Sequence, residues 1–372
     1  MPSQAIHDRI EQLLTLADVA INGNRSWDIQ VHDERLYPRV MAQGALGLGE
    51  SYMDGWWDCE RLDQFFHRIL VADLDRKVKT WRDALRVLRA KLINLQKPTR
   101  AFRIGRAHYD IGNDLFRHML DERMIYSCGY WREATTLDEA QEAKLDLVCR
   151  KLALEPGMRV LDIGCGWGGT AKFAAERYGV TVLGITVSEQ QAEYAQELCD
   201  GLDVEIRLQD YRDLSGEFDR VLSLGMFEHV GYKNYDGFMR LVRSHLMDDG
   251  LFLLHTIGGN RSVTKTNAWT ERYIFPDSML PSAKQICGAV EGKFVIEDWH
   301  SFGSDYDKTL MRWYENFQQH WPLLRERYDE RFYRMWTYYL LSSAGGFRAR
   351  KTQVWQLVLS PNGVTGEYRA PR

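Results

Sequence analysis

The sequence predicts an α/β fold: a mostly parallel, seven-stranded sheet with helices on both faces, preceded by a smaller, mainly helical N-terminal domain. Three observations lead there. From Lys144 onward, short apolar runs alternate with helical periodicity, the pattern of strands joined by helical crossovers. The stretch VLDIGCGWGG, Val160 to Gly169, closes an apolar run on an acid and follows it with alternating glycines. That is how a strand turns into a helix where a large ligand must approach the backbone. The 372 residues, 45% hydrophobic and 27% charged, suffice for one large core plus a smaller domain.

The elements follow in chain order. In MPSQAIHDRIEQLLTLADVAI, apolar residues recur at helical spacing among acids and amides, so a short amphipathic helix is expected there and not a signal peptide. Residues 1–75 form the first domain, which Gly44, Gly47, Gly49 and Gly55 are expected to break into small pieces. Residues 76–106 are expected to form a basic helix and linker. Eleven Lys or Arg stand there against the single acid Asp83, a local charge near +10 in a chain of net charge −4. Trp81, Leu85, Leu88, Leu92 and Leu95 make an apolar stripe flanked by Arg82, Arg86, Arg89 and Lys91, and Pro98 ends the helix. Such a helix suits an anionic surface, phospholipid or nucleic acid, or it packs its stripe on a neighbouring domain as a connector.

Residues 107–372 form the large domain. Strands are expected at Arg159–Ile163, Thr181–Ile185, Val204–Leu208, Arg220–Leu224, Leu251–Thr256, Phe294–Trp299 and Val354–Leu359, with helices after the first four. Two connections, 257–293 and 300–352, are longer than ordinary loops, and the second is loaded with aromatics such as Trp313, Phe317 and Trp336. Long connections in a compact domain are usually lids or walls. No apolar run approaches the roughly twenty residues that span a bilayer, so any membrane contact is expected to be peripheral. Six scattered cysteines without a CxxC pair fit a reducing cytoplasm, and no metal site is expected.

A glycine turn of this kind serves either a dinucleotide or S-adenosylmethionine. A dinucleotide site wants an acid at the end of the second strand, about twenty residues on, to bind a ribose hydroxyl. Thr186 stands there instead, while the acid Asp162 precedes the glycines. Asp210 and Tyr211, at the end of the third strand, stand where an adenine is expected to meet an amide donor and an aromatic face. Together these favour S-adenosylmethionine. Cys128 in MIYSCGYW, Glu228 and His229 in SLGMFEHVG, and His255 in LLHTIGG are expected at the same carboxyl-end crevice.

The motifs LGLGESYMDGWW, HYDIGNDLF, YSCGYW, LDIGCGWGG, QDYRDL, GMFEHVG, LLHTIG, YIFP, EDWH, DYDKTL and FRAR occur in this order. With them the chain resembles the bacterial cyclopropane-fatty-acyl-phospholipid synthases from about Leu46 to Gln356. The related mycolic acid cyclopropane synthases lack the domain that carries GLGESYMDGWW. The resemblance implies the Rossmann-like class I methyltransferase fold and cyclopropanation of a cis double bond in a membrane phospholipid, with S-adenosylmethionine as methyl donor and bound bicarbonate as base. It places the bicarbonate site on Cys128, Glu228, His255, the backbone of Ile257, and Tyr306. Cofactor contacts fall on Tyr126, Ser127, Asp162, Gly164, Cys165, Gly166, Trp167 and Gly168, on Thr186, Val187, Ser188, Gln190 and Gln191, and on Asp210 and Tyr211. Ser343 stands where many family members carry a cysteine. Ring closure needs no covalent enzyme intermediate, so serine is tolerated there.

The resemblance also implies a homodimer bound peripherally to the anionic inner face of the cell membrane, with no nucleic-acid partner. The aromatics of 300–352 would then stabilise developing cationic charge. Three other readings compete: a methyltransferase adding a methyl branch to unsaturated lipids, an inactive lipid-binding protein, and an oxidoreductase. Product structure separates the first, the intact reactive residues oppose the second, and Thr186 opposes the third.

Overall fold

In a computed structural model, residues 2–77 and 112–372 are described. The basic segment 76–106 therefore lies, beyond Lys77, outside the described residues. The chain divides into two compact units: residues 2–77, 264–276 and 306–352 form one, and residues 112–263, 277–305 and 353–372 the other. This differs from a division at the N-terminal segment alone, because both long connections send part of their length to the first unit. Among the described residues no helix is long and apolar enough to cross a membrane.

The second unit is built on seven strands: β3 (Arg159–Ile163), β4 (Thr181–Thr186), β5 (Val204–Leu208), β6 (Phe218–Leu224), β7 (Leu246–Gly259), β8 (Val295–Ser301) and β9 (Thr352–Ser360). Their order is β5-β4-β3-β6-β7-β9-β8. The ladders from β5 to β7 are parallel, and β8 runs antiparallel to β9. Period-two alternation sends consecutive side chains to opposite faces. Leu161, Ile163, Leu183, Ile185, Phe252 and Leu254 pack with Phe238, Met239 and Val242 of helix Tyr235–His245 and Ile286 of helix Ala283–Val290. Val160, Val182, Leu222 and Leu253 pack with Leu145 and Val148 of helix Leu137–Lys151, Phe173 of helix Gly169–Tyr178, and Ala195 of helix Glu189–Leu198. Both faces are covered, as a parallel sheet requires.

Local signals set the helix ends. Thr136 and Glu139 form a reciprocal capping box at Leu137, and Ser188 accepts from the Gln191 amide at the start of the next crossover. One expected helix is missing. Only the single turn Tyr211–Asp213 follows β5, because the stretch between Leu208 and Phe218 is too short for a crossover helix.

The first unit contains helices Pro2–Thr15, Leu36–Gln43, Ala45–Met53, Leu62–Val71, Leu74–Lys77, Ala268–Tyr273, Ser304–Leu324 and Glu330–Arg348, and the short antiparallel pair β1 (Gln30–Val31) and β2 (Trp57–Asp58). Gly47 and Gly49 do not break the chain as expected; helix Ala45–Met53 runs through both. They are there for close approach, since a Cβ at Gly47 would lie 2.4 Å from the Arg39 carbonyl and one at Gly49 2.3 Å from the Trp269 ring. The aromatics of the second long connection also have a plainer role than expected. Tyr338 packs against Phe66 (5.0 Å), Tyr52 (5.6 Å) and Trp269 (4.4 Å), and Trp313, Phe317 and Trp336 are fully buried. They form this unit's core.

Helix Glu330–Arg348 meets helix Leu62–Val71 at Gly345, where an added Cβ would lie 2.7–2.8 Å from Phe66 Cβ, the Asp63 carbonyl and the His67 amide. Alanine gains about 1 kcal/mol of helix propensity, but backbone cannot yield as a side chain can, and overpacking costs about 1–3 kcal/mol. Gly345→Ala is expected to lower unfolding stability in urea. Gly346→Ala, whose Cβ would meet nothing closer than 3.8 Å, should be neutral or stabilising. Equal effects of the two would show that the contact does not matter.

Candidate active site

Strand β3 lies between β4 and β6. The chain leaving β3 goes to β4 on one side and the chain leaving β6 goes to β7 on the other, so their carboxyl ends open a crevice. At the end of β3, the Gly164 and Cys165 amides donate to the Ile185 carbonyl at 2.9 and 3.0 Å. Gly164, Gly166 and Gly168 take φ values of 88°, 56° and 85°, which strain any residue with a side chain. A Cβ at Gly164 would also meet Met226 at 2.8 Å, and one at Gly168 would meet Ala195 at 2.9 Å. The turn aims the N-terminus of helix Gly169–Tyr178 at the crevice.

A cavity of about 170 Å³ occupies this crevice. Tyr126, Ser127, Asp162, Gly164, Cys165, Gly166, Trp167, Thr186, Val187, Gln191, Asp210 and Tyr211 line it. Gly168, Ser188 and Gln190, expected with them, do not. Gly168 caps its helix, Ser188 Oγ accepts the Gln191 amide at 3.3 Å, and Gln190 sits half-buried on the following turn. The cavity also recruits Gln209, Arg212, Gly225, Met226 and His229, which sequence reasoning did not assign to the cofactor. A glycine directly after β6, in LGMFEH, was the available signal for Gly225.

Helix Asn113–Met119 sets the aromatic wall. Its Phe116 meets Tyr126 edge-on at 5.1 Å and Trp167 at 4.7 Å, and Trp167 Nε1 donates to Asn113 Oδ1 at 2.9 Å. Asp210 accepts from the Arg212 amide and guanidinium, both at 3.0 Å, while that guanidinium lies 4.7 Å from the Tyr211 ring centre. Asp162 differs from Asp210. It is 1% exposed, and neither carboxylate oxygen has a hydrogen-bond partner. Burial pushes it up to about 7, against the opposing pull of Lys144. An orphaned buried acceptor beside glycine backbone fits a ligand that brings its own donors, as the ammonium and ribose hydroxyls of S-adenosylmethionine do.

The second constellation is assembled in part. Glu228, on the turn Phe227–His229, accepts the Ile257 amide through Oε1 at 2.6 Å, and its Oε2 has no hydrogen-bond partner. Burial pushes Glu228 up to about 7, opposed by the Ile257 amide and the Thr256 hydroxyl. The Ile257 amide, expected to donate to an anion, is thus engaged by Glu228. His255 is fully enclosed, its Nδ1 lies 3.3 Å from Gln356 Nε2, and burial drives it well below its ordinary value, so the ring is neutral. Cys128 is wholly buried and donates to the Gly129 carbonyl at 3.2 Å. Tyr306 and Ser343 belong to the first unit. There Tyr306 packs against Phe347 (4.7 Å) and Trp313 (5.8 Å), and Ser343 is half-buried on helix Glu330–Arg348. A neutral imidazole and a carboxyl with an open oxygen suit a small oxyanion carrying one proton, such as bicarbonate.

Comparison with known proteins adds independent observations. The sequence model for mycolic acid cyclopropane synthetase matches residues 96–357. The chain is 53% identical over 362 residues to the cyclopropane-fatty-acyl-phospholipid synthase of Escherichia coli (strain K12), covering 97% of this chain and 94% of that protein. The structure of the cyclopropane synthase MmaA2 from Mycobacterium tuberculosis superposes with a TM-score of 0.66 at 33% identity, over 72% of this chain and 99% of that one. Mycolic acid cyclopropane synthase CmaA1, complexed with SAH and CTAB, gives 0.65 at 35% identity, over 69% and 97%.

The Asp162 geometry has a measurable consequence. Asp162 ionises near 3.8 when exposed and near 7 in the folded chain. Between those values the unfolded chain releases a proton that the folded chain keeps, so this group's contribution makes stability fall as pH rises through the window. Asp162→Asn removes that contribution. In urea unfolding of the ligand-free protein, the variant should come closest to the wild type near pH 4 and exceed it by a margin that grows toward pH 8, up to roughly 4 kcal/mol, while ligand affinity drops. An unchanged difference across pH would disprove the buried, unpaired carboxyl.

Proposed function

The chain belongs to the mycolic acid cyclopropane synthetase family and is an S-adenosylmethionine-dependent enzyme that cyclopropanates lipid acyl chains; from that premise we propose that its substrates are cis-unsaturated acyl chains of membrane phospholipids, with bound bicarbonate as the base. The observation that carries the phospholipid assignment is coverage. Likeness to the Escherichia coli phospholipid synthase extends over 97% of the chain, whereas likeness to cyclopropane mycolic acid synthase 1 of Mycobacterium tuberculosis covers 65%. The family model begins at residue 96, while the likeness to the Escherichia coli synthase takes in nearly the whole chain.

S-adenosylmethionine supplies an electrophilic methyl group on a sulfonium. The glycine turn at Gly164–Gly168, Ser127, Gln191 and Asp162 would hold it, and the walls from Tyr126 and Trp167 would exclude water. An alkene is a weak nucleophile, so orientation in a dry site is the main lever on rate. The alkene would take the methyl carbon as its bond to sulfur breaks and S-adenosylhomocysteine leaves, and the resulting carbocation would close to a three-membered ring on losing one methyl proton. Bicarbonate would supply the proton acceptor, held by Cys128, Glu228 and His255. Glu228 is suited to this because burial lets its carboxyl share a proton near neutral pH, and neutral His255 can donate without repelling a cation. The basic segment 76–106 would dock a homodimer peripherally on the inner face of the cell membrane.

Two measurements test the proposal. Incubation with S-adenosylmethionine and vesicles of monounsaturated phospholipid should add one CH2 to the acyl chains, with ring protons in the NMR spectrum, and anionic vesicles should react faster than zwitterionic ones at low salt. A methylated alkene would instead make this a branching methyltransferase. Glu228→Gln should slow turnover on the order of 10²-fold with cofactor affinity nearly unchanged. Removing bicarbonate from the buffer should slow the wild type and leave the variant almost unaffected. Equal wild-type turnover in buffer and protein both stripped of bicarbonate would eliminate it as the base.

A further inference from the structure

Helix Leu137–Lys151 turns one charged side chain inward beside the cavity. Lys144 is 0% exposed, and its Nζ donates to Ser127 Oγ at 3.0 Å. Among the described residues no carboxylate lies within 4.0 Å of that ammonium. Asp121 and Asp162 feel its charge at longer range. Asp121 is engaged elsewhere, accepting the Ile125 amide at 2.8 Å and the Arg123 amide at 3.0 Å. A buried ammonium held by one neutral hydroxyl is expensive, and an apolar side chain of similar length would fill the same space at less cost. Asp121 and Asp162 balance part of that charge within the chain, and its one hydrogen bond, to Ser127, carries the rest toward the cavity.

Ser127 shows where that demand arises. It lines the cavity, and its carbonyl is fixed by Gln141 Nε2 at 2.8 Å. Because Lys144 donates into Oγ, the hydroxyl proton is left to donate onward to an acceptor. Asp162 lines the same cavity with both oxygens unpartnered. One cationic relay and one anionic acceptor together complement a zwitterion, a carboxylate for Ser127 and an ammonium for Asp162. We propose that Lys144, acting through Ser127, is a positioning residue that selects the carboxylate at the amino-acid end of the ligand. The inference rests on the assignment of this cavity to S-adenosylmethionine. It adds a charge that accounts for affinity toward one end of that molecule.

The test is a ligand-deletion cycle read by calorimetry, independent of turnover. The probes are S-adenosylhomocysteine and its analogue lacking the carboxylate. Wild type should prefer the intact ligand by about 10- to 100-fold, the range for a hydrogen bond to a charged group. In Lys144→Met the preference should collapse to within a few-fold, through weaker binding of the intact ligand only. Ser127→Ala should do the same, and it carries the test if Lys144→Met does not fold. A preference that persists undiminished in the variants overturns the role of Lys144. So does a wild type that binds both probes equally, which leaves the cavity assignment standing. Binding of neither probe would instead defeat the assignment itself.

Discussion

The two strands flanking β3 belong to opposite halves of the winding, and that single topological fact leaves the carboxyl end of β3 uncovered by any crossover. Everything functional in the second unit depends on it. The glycines turn in the left-handed region because they carry no Cβ, and Met226 and Ala195 close in to the limit that hydrogen alone allows. Helix Asn113–Met119 supplies cover through Phe116, which packs against Trp167 of the glycine turn. The result is a crevice lined by backbone and side chains, in which Asp162 keeps an unpaired carboxyl.

Burial then divides by role the charged groups of the cavity and those of the Glu228–His255 constellation, which do not line it. Asp210 is satisfied within the chain by Arg212, so it is suited to holding its loop in place. Asp162 and Glu228 each keep at least one oxygen without a partner and are both shifted upward by desolvation. His255 and His229 are shifted downward by the same cause. Burial thus holds these acids and imidazoles near neutrality, which suits the proposed reaction, in which the substrate would become a cation. Fixed full charges would trap that cation; groups that exchange one proton do not.

Much of this was legible in the residues. The alternation through Val160, Leu161, Asp162 and Ile163 fixes which side chain faces which layer, so the strand limits of β3 and β5 match expectation. The acid-before-glycine order distinguished one ligand class from another without any coordinates. Lys144 was not legible, because a lysine in a helix among Glu142, Asp146 and Arg150 reads as solvated surface until tertiary packing turns it inward. Gly47 and Gly49 misled for a related reason. Glycine signals either a break or a close approach, and only the position of Arg39 and Trp269 decides between them. The aromatics after Tyr306 were equally ambiguous, since a core and a cation-stabilising wall draw on the same residues.

The three-segment construction of the first unit has a consequence for how the protein comes into being. Trp57, Phe65 and Phe66 are almost fully buried, yet the partners of Phe66 include Tyr338 and the backbone at Gly345. During synthesis at about 5–20 residues per second, the first segment leaves the ribosome roughly 15–50 s before residues 306–352 exist to cover it. Its apolar face must be shielded by chaperones or by transient, non-native contacts for that interval. A chain that stops before residue 306 strands this face permanently, marking incomplete copies for removal by the proteolytic machinery that surveys exposed hydrophobic surface.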